Sequence, residues 1–178
     1  PPPSARAIAE AAELVGPIYD TVLDQGRWNE VLGLCRDFVG GQSASIFAKD
    51  ETGMAGGIFF YDGRLSEPYP QLYFDTYAHL DPSTGGHLLT PLERPVSTGD
   101  IVDLSEFYDT RFYREWVEPQ GLVDFISAPI EKIGGWAAMF GVFRHARHGM
   151  ADDGAKSRLA LLVPHIRRAV LIGRVLEE

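Results

Sequence analysis

One cysteine, Cys35, stands among 178 residues, so neither a disulfide framework nor a cysteine-rich zinc site holds this chain together. Long apolar runs are missing as well. None reaches the ~18 residues of a membrane span, and no signal-peptide pattern opens the chain. Positive charge is scarce, with 16 Lys and Arg against 25 Asp and Glu and a net charge of −9. Such a balance makes the chain a poor nucleic-acid binder by itself. Standard catalytic signatures are lacking too: no GxSxG elbow, no GxxxxGK(S/T) phosphate loop, no GxGxxG and no HExxH. His145 and His148 stand three apart but among arginines, with no further residue nearby to complete a ligand set. Cys35 falls on an apolar helical stripe and reads as a buried, inert thiol. The expectation is a cytoplasmic protein that is not an enzyme and carries no cofactor or metal.

What is present is ordinary globular material: 45% hydrophobic and 23% charged residues, enough for one domain with a core. The charge is uneven. Residues 1–143 hold 21 acidic and 9 basic residues, whereas 144–174 hold 7 basic and 2 acidic ones. That basic segment reads either as a solvated helix face or as a surface that meets something negative.

Periodicity divides the chain into helices, a hairpin, helices, a second hairpin and a helix. Ile8, Ala11, Ala12, Val15, Ile18, Tyr19 and Val22 form a 3.6-period stripe, with Pro17 expected to kink it. Trp28 to Val39 is a second helix, stopped by Gly40-Gly41. Ser43–Ala48 and Gly57–Tyr61 read as a hairpin. Ser66–His79 reads as a helix ended by Asp81-Pro82, because the residue before proline avoids helical geometry. Residues 83–100 look loop-rich, Ile101-Val102 a short strand, and Asp103–Val117 an aromatic helix. Val123–Ile130 and Trp136–Arg144 are strands apolar on both faces, so both faces need cover. The last helix runs from Ala151-Asp152 to about Leu176, with Pro164 expected to bend it. This order predicts an α+β domain with a central, mainly antiparallel sheet of about five strands. Its expected division is a helical pair over 1–41, a core over 42–150 and a terminal helix over 151–178.

The aromatic residues offer a candidate site. Tyrosine brings a flat apolar face and a hydroxyl that can orient a ligand. Tyr73, Tyr77 and Asp81, spaced by four, share one helix face or its end. Asp81 could accept a hydrogen bond from a ligand N–H, or simply cap the turn before Pro82. Tyr61, Phe112 and Trp116 flank them in the chain, while Phe125, Ser127 and Phe140 lie on the later strands. Ser127, Ala128, Ala137 and Gly141 leave room for close packing or for a ligand.

These residues resemble a known family. Tyr69-Pro70-Gln71-Leu72-Tyr73-Phe74-Asp75-Thr76-Tyr77, followed by Asp81-Pro82, resembles the YPxxWxxxY…DP segment of the autoinducer-binding domains of LuxR-type transcription factors. Gly121-Leu122 through Ser127-Ala128-Pro129 resembles that family's GLxxGxxxP strand. Phe112–Trp116 with Pro119-Gln120-Gly121, and Val163–Ala169, are similar to the PAS- or GAF-like sensor domains of the broader LuxR-type helix-turn-helix regulators. The resemblance implies an α/β/α sandwich, a cavity between sheet and helices for a small-molecule effector, and a homodimer. It also implies contact with DNA only through a C-terminal helix-turn-helix domain, which nothing after Leu176 supplies, so the chain reads as an isolated sensor domain. Tyr73 stands at the family's tryptophan, Tyr77 at its tyrosine and Asp81 at its amide-binding aspartate. Two features depart from the pattern. Phe125 stands where the autoinducer receptors usually have glycine, and the gap from Tyr77 to Asp81 is short. Both suit a different small apolar or aromatic ligand, or none, better than an acyl-homoserine lactone. The alternatives are a purely structural dimerisation module, an acyl-homoserine-lactone receptor domain, and a haem sensor using His79 or His87.

Overall fold

The computed structural model describes residues 2–177. Pro1 and Glu178, the ends of the expected first and last segments, lie outside them.

Two amphipathic helices come first, α1 (Ala5–Asp20) and α2 (Trp28–Val39). Ser4 caps α1 by accepting the Ala7 N–H at 3.1 Å. Pro17 does not end this helix. Its inner face runs through Ala7, Ala11, Leu14 and Ile18, while Ile8 is exposed, one position off the expected stripe. The first hairpin is β1 (Ser43–Asp50) with β2 (Gly56–Tyr61), and the second is β3 (Leu122–Ile133) with β4 (Trp136–His145). They join through β1 and β4 into a four-stranded, wholly antiparallel sheet of order β2-β1-β4-β3. The expectation of about five strands is corrected to four. Ile101-Val102 is not a strand, because Ser97 and Asp100 form a capping box that starts a helical turn, α5 (Thr98–Ile101). The extra pairing at the β3 edge is a single bridge between Val96 and Ser127.

The segment after β2 is helical but irregular. It begins as α3 (Tyr69–Leu72), widens into a π-helical turn (Tyr73–Tyr77) and tightens to a 3₁₀ turn (Ala78–Leu80). Residues 83–100, expected as loop, include α4 (Thr84–Leu89). The aromatic helix expected over Asp103–Val117 is broken in two. α6 (Leu104–Phe107) stops where the Thr110 hydroxyl donates to Phe107 O and accepts the Tyr113 N–H, restarting the chain as a π-helical turn (Tyr113–Val117). α7 (Asp153–Glu177) closes the fold and passes through Pro164 without ending.

Strand alternation gives the sheet two different faces. Ala44, Ile46, Ala48, Ile126, Ala128, Ile130, Ala138, Phe140 and Val142 form one, and pack with α1, α2 and α7 into a single core. The three expected segments therefore share one core. The other face carries Phe47, Lys49, Phe125 and Phe143, covered by the irregular helical layer and its cluster around Tyr73, Phe107, Phe112 and Trp116. The result is an α/β/α sandwich. Much of the basic C-terminal segment turns inward: Lys156 pairs with Asp100 at 2.8 Å, Arg167 with Glu93 at 3.4 Å and Arg174 with Glu131 at 2.6 Å. The guanidinium of Arg144 bonds three backbone carbonyls, of Gly40, His148 and Gly149.

Candidate functional site

A cavity lies between the second face of the sheet and the irregular helical layer. Phe47, Ile58, Leu65, Phe74, Phe107, Phe112, Trp116, Phe125 and Phe143 give it apolar walls. Counting its mouth it holds about 830 Å³ of empty space, but the part wide enough for a water-sized group is about 80 Å³. One water takes about 10–15 Å³ by that measure. The clear room thus matches a handful of waters or one small ring, and anything larger requires the rings to move. The rings are held by each other. Phe112 stacks on Trp116 at 5.5 Å, Tyr73 meets Trp116 edge-on at 5.2 Å, and Phe125 lies 4.3 Å from Phe143. Trp116 donates its indole N–H to Tyr69 O at 2.8 Å, tying the two helical segments together.

Polar groups gather at one end of this cavity. Lys49 on β1 is only 1% exposed. Its Nζ lies 3.3 Å from Asp81 Oδ2 and donates to the Tyr73 hydroxyl, also at 3.3 Å. Tyr73 in turn donates to Asp81 Oδ2 at 2.7 Å, and the other carboxylate oxygen accepts the Ser83 N–H and hydroxyl at 2.9 and 2.6 Å. Burial pushes the Lys49 ammonium below its usual range, with Asp81 pulling it back. Burial also works to raise Asp81, but Lys49, His87 and the hydrogen bonds from Ser83 and Tyr73 outweigh it and bring the carboxyl down to about 2. Burial, then the Asp81 charge, lifts the Tyr73 phenol well above 10. The group is a buried lysine–carboxylate pair bridged by a phenol.

His87 on α4 completes this polar end. It is 4% exposed, lines the cavity, and sets its ring 5.9 Å from Phe125, edge-on. Burial, then Lys49, pushes it down to about 3, so the imidazole is neutral. Its Nδ1 is buried with no hydrogen-bond partner among the described residues. Leaving such a group unpaired costs about 1–3 kcal/mol. Lys49 did not stand out in the sequence, and His87 did so only as a haem alternative, not as part of a polar cluster. A lysine at a strand end reads as solvent-facing, and a histidine after Gly85-Gly86 reads as loop.

Six of the nine candidate residues, Tyr61, Tyr73, Asp81, Phe112, Trp116 and Phe125, line this cavity. Tyr61 spends its hydroxyl on Leu65, accepting from N–H at 2.6 Å and donating to C=O at 3.1 Å. The other three lie elsewhere. Tyr77 donates to Glu115 at 3.0 Å outside the cavity, because the π-helical turn rotates it away from Tyr73. Phe140 faces the α1–α2–α7 core, since it alternates with Met139 and Gly141 on the other face of the sheet. Ser127 is fully buried beneath the Val96 bridge, its hydroxyl without a partner among the described residues.

Other chemistry is sparse. Burial pushes the Cys35 thiol up to about 12. His145 Nδ1 and His148 Nδ1 accept backbone N–H groups in a tight turn. Among the described residues no group of three His, Cys, Asp or Glu is placed to hold a metal, and no helix is long and apolar enough to cross a membrane. Of the two histidines considered for haem, His79 is exposed and His87 sits where the clear room is far smaller than a macrocycle. A roomier groove of about 560 Å³ lies between Gln25, Trp28, Phe59, Trp136 and Arg174, but no buried polar side chain lines it.

No protein-family model matches the chain, and no curated protein matches it by sequence. Solved structures do. The VqsR LBD domain from Pseudomonas aeruginosa superposes with a TM-score of 0.72 at 13% identity, over 94% of this chain and 98% of that one. The phycoerythrobilin-bound GAF domain from a cyanobacterial phytochrome gives 0.58 at 11% identity, over 94% and 98%. The GAF domain/HD domain protein from Geobacter sulfurreducens gives 0.57 at 14%, over 91% and 98%. Likeness over nearly the whole chain at such low identity shows the fold: this chain is built as a GAF-like α+β sandwich.

Proposed function

We propose that the chain is the ligand-sensing and dimerisation domain of a LuxR-type transcriptional regulator. It binds a small apolar or aromatic molecule between the sheet and the irregular helical layer, without catalysis. It works in the cytoplasm as a homodimer and acts on DNA through a separate helix-turn-helix domain. The cavity carries this reading: aromatic walls closing on a buried Lys49–Asp81–Tyr73 group, with a His87 Nδ1 beside it that has no partner among the described residues. A solid core has no use for a buried ion pair, which is weak as a source of stability. The likeness to an LBD domain and to a bilin-bound GAF domain supports a binding role for this fold. A ligand seated there touches both π-helical turns at once, through Tyr73 and Trp116, and favours whichever arrangement of that layer fits it.

The narrowness of the clear room favours a second reading, a structural dimerisation module without ligand. An acyl-homoserine lactone fits less well. Tyr77 is turned to Glu115, and Asp81 is already committed to Lys49, Tyr73 and Ser83.

Thermal-shift screening with native mass spectrometry tests the sensing reading, and light scattering tests the dimer. A bound small molecule that raises the melting temperature is expected. If nothing binds and an experimental structure shows the rings closed on each other, the structural module stands instead.

A further inference from the structure

The ligand class can be narrowed from the polar end of the cavity, an inference that rests on the sensing reading above. Lys49 and Asp81 form a closed pair at 3.3 Å, and both are buried. An anion placed there meets Asp81 and loses its hydration, while a cation meets Lys49. Breaking the pair to admit either one leaves a buried charge without its partner. Charge balance thus selects an uncharged guest.

One group at this end still lacks a partner. His87 Nδ1 is buried and unbonded among the described residues, although Ser83, Tyr73 and Asp81 beside it are fully engaged. Neutral imidazole offers a donor or an acceptor at that nitrogen, according to its tautomer. The nearest ring to His87 is Phe125, itself against Phe47 at 5.8 Å and Phe143 at 4.3 Å. A guest that reaches Nδ1 therefore lays its body among flat apolar rings, in room suited to one small ring. We propose that the cavity takes an uncharged planar aromatic molecule bearing a hydroxyl, amide or similar neutral polar group, and that this group hydrogen-bonds to His87.

Four probes of similar size test this on the intact chain by NMR titration: phenol, toluene, benzoate and benzylamine. Phenol is expected to bind about tenfold more tightly than toluene, the worth of one neutral hydrogen bond. It is also expected to move the His87 imidazole nitrogen resonances, with benzoate and benzylamine weaker than phenol. His87→Leu brings phenol down to the toluene level, and His87→Gln, which keeps a donor and an acceptor, retains part of the preference. The proposal is overturned if toluene equals phenol in the unsubstituted chain, if a charged probe binds best, or if none of the four binds. In that last case a larger compound that still raises the melting temperature leaves the sensing reading standing, and a screen in which nothing does so removes both.

Discussion

The ring of Phe125 occupies the space that Gly141 leaves open: a Cβ at position 141 would stand 2.2 Å from Phe125 Cζ. Glycine on β4 and phenylalanine on β3 are thus one packing unit, and Phe125 fills the gap in the cavity wall. Gly141→Ala forces the ring outward into the cavity and costs about 1–3 kcal/mol. Phe125→Ala in the same chain is expected to relieve that clash, so the two substitutions couple in a double-mutant cycle read by urea denaturation.

The buried pair behaves asymmetrically. Asp81→Asn leaves the Lys49 ammonium buried without its counter-charge, a loss of about 3–5 kcal/mol. Lys49→Met combined with Asp81→Asn removes both charges and returns most of that loss. Equal destabilisation by the single and the double variant would refute a true ion pair between them.

Acid stability has two steps. An unfolded imidazole titrates near ~6.5, whereas burial and Lys49 push His87 down to about 3. Between those values the unfolded chain holds the extra proton. The contribution of neutral His87 is therefore complete above pH ~6.5 and is lost as pH falls toward 3. Asp81 acts lower: its usual value is near ~3.9, and its native one about 2, so its contribution disappears as pH falls from ~4 through 2. Melting temperature is expected to decline steadily from pH 6.5 to 4, and His87→Gln to flatten that decline. An unchanged slope in the variant counts against a buried neutral His87.

Phe140 and Trp116 separate folding from binding. Each to alanine costs about 3–5 kcal/mol. Only Trp116 lines the cavity, so Trp116→Ala changes the affinity of the folded fraction for a bound aromatic while Phe140→Ala leaves it alone. Calorimetry on the folded fraction, below each variant's transition, checks this.

Much of the scaffold was readable from periodicity. The stripe on α2, both hairpins and the alternation on β4 follow directly from residue spacing, and so does the need to cover both faces of the later strands. The π-helical turns were not, because a regular 3.6 period places Tyr73 and Tyr77 on one face, and only packing against Trp116 and Phe112 widens the turn that separates them. The helical turn at Ser97–Asp100 did leave a signal, a serine three residues before an aspartate. The aromatic walls were legible by composition. The partnership of Lys49 with Asp81 and the place of His87 in the cavity were not, since each rests on residues brought close only by the fold: Asp81, 32 residues from Lys49 in the chain, and the ring of Phe125 beside His87.

The two faces of the sheet are covered in different ways. The face carrying Ile46, Phe140 and Val142 is locked to α1, α2 and α7, and a change there endangers the whole fold. The face carrying Phe47, Lys49 and Phe125 borders a cavity and short helical turns, so its cover is broken where that of the first face is continuous. The two layers of cover therefore differ in stiffness: one is a continuous core, the other a set of short turns leaning on rings.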